Sequence, residues 1–111
     1  MSYYEPKDLP KFAEVGEFAP DLMDKFFAYY TAVTSTDGAL TRREKALIAL
    51  AVAHSKKCPY CIDAYTTQCL ETGSNPEQMT EAIHVAAALE AGITLVHGVQ
   101  MQNALRQKGA M

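Results

Sequence analysis

No stretch of this chain alternates polar and apolar residues with period two over five or more positions, so nothing in it reads as a half-buried strand. Helix punctuation recurs instead. Pro20 fits a first helical position, with Asp21 in the first turn. Leu22, Phe26, Tyr30 and Val33 then repeat at helical spacing, and the stripe from Phe26 to Tyr30 is expected to be core. Thr41 is an N-cap, and Glu44 three residues on completes a capping box. Pro59 cannot continue a helix but can start one. Asn75-Pro76-Glu77-Gln78 again reads as cap, first-position proline and capping-box glutamine.

These signals predict an all-α fold of about five main helices with short connections. The first runs from Pro20 to the turn at Ser35 to Gly38. A largely buried helix follows from Thr41 to about Lys57, and a third runs from Pro59 to Glu71 with Gly73 as its C-terminal cap. The fourth is expected from Asn75 to Gly92, and the last is opened by Thr94 and ends before Gly109. An irregular arm over residues 1–17, with a short helix around Asp8 to Glu14, precedes them.

The 111 residues are one domain's length. Thirteen acids against ten bases leave a net charge of −3, which excludes a strongly basic nucleic-acid footprint. The longest uninterrupted apolar run, Ala46 to Ala53, is far below a membrane span. Met1 to Pro10 has no apolar core of a signal peptide, so a cytoplasmic setting is the expectation. A chain this short has a modest core, and self-association is a natural way to bury more apolar surface.

Three cysteines stand at 58, 61 and 69, too few and too odd for a disulfide scaffold. Cys58-Pro59-Tyr60-Cys61 places one sulfur at an N-cap and the other near the third position of the same helix. Unsatisfied N–H groups and the positive end of the dipole stabilise a thiolate there, so at least one thiol pKa is expected below the free value of roughly 8.5. The two-residue spacer also lets the sulfurs close a disulfide. The competing reading is a pair of inert buried thiols. Haem attachment is disfavoured because Ile62, not His, follows the motif. A thioredoxin fold is disfavoured because no strand precedes it. A zinc site built from His54, Cys58, Cys61 and Cys69 is disfavoured because Cys69 lies about two turns, roughly 12 Å, beyond Cys61 on one helix. No metal and no cofactor is expected.

His54 lies one turn before Cys58, as either a proton relay or a partly exposed histidine at a helix end. Tyr65, one turn beyond Cys61 on the same face, either donates a hydrogen bond toward the cysteines or simply packs. Tyr60 flanks the sulfurs. Cys69 reads as a small packing residue, and His84 and His97 as satisfied core or interface histidines.

The stretch from Leu40 to Val52, Leu-Thr-Arg-Arg-Glu-Lys-Ala-Leu-Ile-Ala-Leu-Ala-Val, leads into Cys-Pro-Tyr-Cys-Ile-Asp-Ala-Tyr at 58–65. Together they resemble the alkylhydroperoxidase D-like branch of the carboxymuconolactone decarboxylase superfamily, over about residues 20–107. The motif with its following Thr66, and Leu95-Val96-His97-Gly98-Val99-Gln100-Met101, is similar to a peroxidase-like subgroup associated with arsenosugar biosynthesis. The resemblance implies a helical bundle of about five to six helices with CxxC at a helix N-terminus, assembled as a trimer or hexamer. It implies a thiol peroxidase in which Cys61 attacks a hydroperoxide, its sulfenic acid condenses with Cys58, and an external dithiol reduces the disulfide. Two positions depart from the family pattern. Ala46 stands where its best-studied members carry a glutamate, and Tyr65 where they carry a histidine, so their Glu–His proton relay is missing. The alternatives are a disulfide reductase, or a non-catalytic dithiol module that captures a soft species such as trivalent arsenic, or a partner.

Overall fold

The computed structural model describes residues 4–111. The first three residues of the expected arm lie outside them. Five α-helices follow a 3₁₀ segment, Pro6–Gly16, and no strand occurs among the described residues. The helices are α1 (Pro20–Thr34), α2 (Arg42–Ser55), α3 (Pro59–Glu71), α4 (Pro76–Val96) and α5 (Gly98–Gln107).

The starts lie where the side chains dictate. Thr41 Oγ1 accepts the Glu44 N–H at 3.1 Å, and Glu44 Oε1 accepts the Thr41 N–H at 2.9 Å. Asn75 and Gln78 make the same reciprocal pair at 2.8 and 3.0 Å. Each box satisfies two orphan donors, and such a cap is worth about 1 kcal/mol.

Two ends share one geometry. At the end of α2 the Cys58 N–H bonds to Ala53 O and the Lys57 N–H to His54 O. At the end of α3 the Ser74 N–H bonds to Cys69 O and the Gly73 N–H to Leu70 O. Both are Schellman motifs, which need a left-handed residue after the cap. Gly73 takes it at φ 94°, and Lys57 takes it at φ 55°.

α2 is central and packs against α3 and α4. Leu50 (1% exposed) and Cys69 (0%) form the core with Ala46, and Leu47, Tyr65 and Met79 close around them. The 3₁₀ arm lies on α1 and reaches α3. Gly16 sets its approach, because a Cβ there would stand 2.6 Å from Met23 Cβ.

Three expectations need correction. α4 runs through Gly92 and Thr94 and ends only at His97. Glycine weakens a helix by about 1 kcal/mol without stopping one flanked by good helix formers. Thr94 is no cap; its hydroxyl donates back to Glu90 O at 2.9 Å. α2 is buried along one face only, at Ala46, Leu50 and Ala53. The Phe26–Tyr30 stripe is not core, since α1 has no buried residue and Phe26 is 42% exposed. His84 and His97, expected as core or interface histidines, are exposed in this single chain and so lie outside its core, and His97 Nδ1 bonds to Gln100 Oε1 at 3.1 Å.

The shape follows from α4. Its second half and α5 project from the core, so the radius of gyration is 19.2 Å. A compact chain of this length has about 13 Å. Leu89, Ile93, Leu95, Val96, Val99 and Met101 stand exposed on the projection.

Candidate dithiol active site

The end of α2 fixes where α3 begins. Because the left-handed Lys57 turns the chain, Cys58 becomes the N-cap of α3 and Pro59 its first residue. Proline costs nothing there, since that N–H has no helical partner. Cys58 Sγ accepts the Cys61 N–H at 3.3 Å, and so takes the place of a capping oxygen. One turn along, Cys61 brings its sulfur back to the same point. The two Sγ atoms are hydrogen-bonded at 2.7 Å, and both cysteines are free and half-buried. Oxidation therefore needs only side-chain adjustment to reach the 2.03–2.05 Å of a disulfide.

At Cys61 the shift runs opposite to the one expected of at least one of the two thiols. Burial, the hydrogen bond to Cys58 and the charge on Cys58 push the Cys61 thiol up to about 11. Two sulfurs this close titrate as a pair, and one negative charge opposes a second.

The sulfurs form one wall of an apolar pocket of about 630 Å³. α3 adds Tyr60, Ala64 and Tyr65, α1 adds Phe26 and Tyr30, and the 3₁₀ arm adds Leu9, Phe12 and Val15. Phe12 stacks edge-on against Phe27 at 5.2 Å and lies 5.9 Å from Phe26, so aromatic contacts hold the arm to α1. Tyr4 pins its beginning, with its ring 4.6 Å from Tyr60 and its hydroxyl donating to Pro59 O at 3.3 Å. The charged groups lining the pocket, Asp8 and Lys11, pair at 3.0 Å and offset each other.

Of the predicted site residues the structure brings together Cys58, Cys61 and Tyr65. The Tyr65 hydroxyl is hydrogen-bonded to that of Tyr30. His54 is not brought in. Its Nδ1 is held by Leu50 O at 2.9 Å, and it opens onto a different hollow, with Lys57, Pro59 and Asp63. Cys69 lies in the core, where burial raises its pKa, so the four-residue zinc set is not assembled. No group of three or more His, Cys, Asp or Glu among the described residues is placed to hold a metal ion.

Tyr30 is the site residue that sequence reasoning missed. Burial and then the Cys61 charge raise its pKa, which places it within electrostatic reach of the thiols. Behind the tyrosine pair is a smaller hollow of about 160 Å³, where Lys45, Ala46 and Gln68 also stand. Ala46 leaves open the space a longer residue would enter.

The carboxymuconolactone decarboxylase family model matches residues 20–104. The chain is 39% identical over 92 residues to an uncharacterised protein, number 4 in the cox locus of Paracoccus denitrificans, covering 83% of this chain and 82% of that one. It is 32% identical over 82 residues to an uncharacterised protein of Cupriavidus necator, covering 74% and 72%. Its fold is similar to the crystal structure of an apo carboxymuconolactone decarboxylase family protein from Legionella pneumophila. That match has a TM-score of 0.68 and 29% identity, and covers 92% of this chain and 91% of that one.

Proposed function

The chain belongs to the carboxymuconolactone decarboxylase family, and from that premise we propose that it is a thiol oxidoreductase reducing hydroperoxides through a Cys58–Cys61 disulfide. The observation that carries this reading is the pair of free sulfurs at 2.7 Å in the wall of an apolar pocket. Once one thiol proton has left to water, Cys58 keeps the other and donates it to the Cys61 sulfur, and Cys61 attacks the O–O bond as the thiolate. Its sulfur gains one oxygen and the other leaves as alcohol once protonated. Cys58 then displaces water from the sulfenic acid, and an external dithiol reduces the disulfide. Two thiols and one hydroperoxide thus give one disulfide, one alcohol and one water.

The family's decarboxylase name finds less support in the pocket. Its one cationic side chain, Lys11, is already paired with Asp8 at 3.0 Å.

The test is a stoichiometric hydroperoxide challenge with disulfide mapping and sulfenic-acid trapping. One equivalent is expected to give a Cys58–Cys61 disulfide, and Cys58→Ser to trap the sulfenic acid on Cys61. Trapping on Cys58 in Cys61→Ser alone would reverse the order of attack. A dithiol inert to hydroperoxide that takes up one equivalent of trivalent arsenic would replace the reading with ligand capture.

The same reading includes a homo-oligomer, a trimer or hexamer, in a reducing cytoplasmic setting. Its support is the projecting α4–α5 surface, with Leu89, Leu95 and Met101 each more than half exposed. By length and composition alone, the Pro76–Gln107 stretch would also suit a membrane, with a mean hydropathy of 1.5 over an 18-residue window. Sedimentation velocity is expected to show an assembly; a monomer at micromolar concentration would overturn it.

A further inference from the structure

We propose that Tyr30 and Tyr65 act together as the proton-donating pair of the dithiol site, delivering a proton to the oxygen that leaves when the thiolate opens a hydroperoxide. The inference rests on the hydroperoxide reading and adds a residue from outside the motif and its helix.

Three observations carry it. Both tyrosines line the same pocket as Cys61, so a substrate oxygen departing from that sulfur leaves toward phenol. Their hydroxyls are hydrogen-bonded to each other across 35 positions of sequence, so one phenol donates while the second supports the charge left behind. The same two side chains also line the 160 Å³ hollow behind them, beside Lys45 and Gln68, which gives the pair a second face turned from the thiols. Tyr65 is held by packing against the core of Ala46, Leu50 and Cys69, so its position does not depend on substrate.

The chemistry balances without a further reactant. A thiolate and R–O–O–H give the sulfenic acid and an alkoxide. The alkoxide takes the phenol proton and leaves as alcohol, and the tyrosinate regains a proton from water through its partner. An alkoxide is about as basic as hydroxide, and far more basic than a phenolate. A phenol near 10, even one raised by burial, protonates it downhill. Tyrosine is a poor general base at neutral pH, but this step needs an acid.

The test varies the leaving group. Wild type, Tyr30→Phe and Tyr65→Phe are reduced, mixed with one equivalent of oxidant, and followed through a single turnover. With tert-butyl hydroperoxide the leaving oxygen is an alkoxide that needs the proton. Each variant is expected to slow about 100-fold, the usual scale of a lost general acid. With a peroxybenzoic acid the leaving group is a carboxylate with a pKa of about 4, which departs without a proton. There the variants are expected to match wild type, and this rate also shows that they are folded with an intact dithiol. Equal slowing with both oxidants would make the tyrosines structural and overturn the proposal while leaving the thiol peroxidase reading intact. Unchanged rates with both would overturn it as well. A wild type inert to both oxidants would overturn the function and the proton pair together.

Discussion

The α2–α3 and α3–α4 junctions use the same backbone device and fill it differently. Each ends a helix with a Schellman motif, and each starts the next with a cap followed by proline. At the α3–α4 junction the left-handed and capping positions hold residues suited to them. Gly73 takes the left-handed conformation, and Asn75 and Gln78 cap each other. At the α2–α3 junction Lys57 takes the left-handed conformation, which costs a residue with a Cβ about 1 kcal/mol. The cap is a sulfur accepting at 3.3 Å, and position three holds another sulfur instead of a reciprocating amide. The second junction is built for stability. The first gives some stability up to hold two thiols side by side, as functional sites do with local strain.

That contrast can be broken or sharpened in order of expected effect. Largest, Cys58→Ser and Cys61→Ser are each expected to abolish dithiol-dependent hydroperoxide consumption, while Cys69→Ser retains it. Turnover surviving in the Cys61 variant would end the chemical half of the comparison.

Next comes ionisation. Cys58→Ser removes the neighbouring charge and the sulfur hydrogen bond, leaving burial alone to raise Cys61. Thiolate absorbance is expected to show Cys61 titrating below its value of about 11, still raised by burial. The sign for stability follows. A raised pKa means the native state holds that proton more tightly than the unfolded chain does. The stability this adds is complete below the ordinary thiol range and is lost as pH rises toward about 11. Melting temperature is expected to fall over that window, and to fall less in Cys61→Ser.

The structural junction comes third. Gly73→Ala is expected to cost about 1–2 kcal/mol, because alanine resists the left-handed region. Asn75→Ala is expected to cost about 1 kcal/mol through the lost cap. Denaturant unfolding measures both. Smallest, Lys57→Gly is expected to add about 0.5–1 kcal/mol by relieving the left-handed lysine, less the entropy glycine brings. Loss of stability in Lys57→Gly would show the two junctions to be less alike than their hydrogen bonds.

What was legible in the sequence was what is local. The starts of α1 to α4 and the place of Cys58 and Cys61 on α3 rest on contacts within four residues, and the side chains concerned announce them. The end of α4 was misread because Gly92 and Thr94 carry weak breaking signals that helix propagation overrides. His54 was left undecided because spacing gives a face but not a rotamer. Tyr30 was missed because its partner lies 35 positions away, and an aromatic stripe on α1 looks the same whether it faces a core or a pocket. The raised Cys61 pKa is not legible in sequence, because the helix dipole is visible there, whereas burial and a sulfur 2.7 Å away are tertiary facts.

The third cysteine has a use that its silence in the chemistry makes possible. Cys69 is 0% exposed, lies in the core where α2 and α3 meet, and has its pKa raised by burial. A thiol reagent reaches it only when that core opens, so its labelling rate follows the opening free energy of the molecule. With Cys58 and Cys61 locked as a disulfide, Cys69 becomes a built-in unfolding clock, able to report whether oxidising the site stiffens or loosens the subunit.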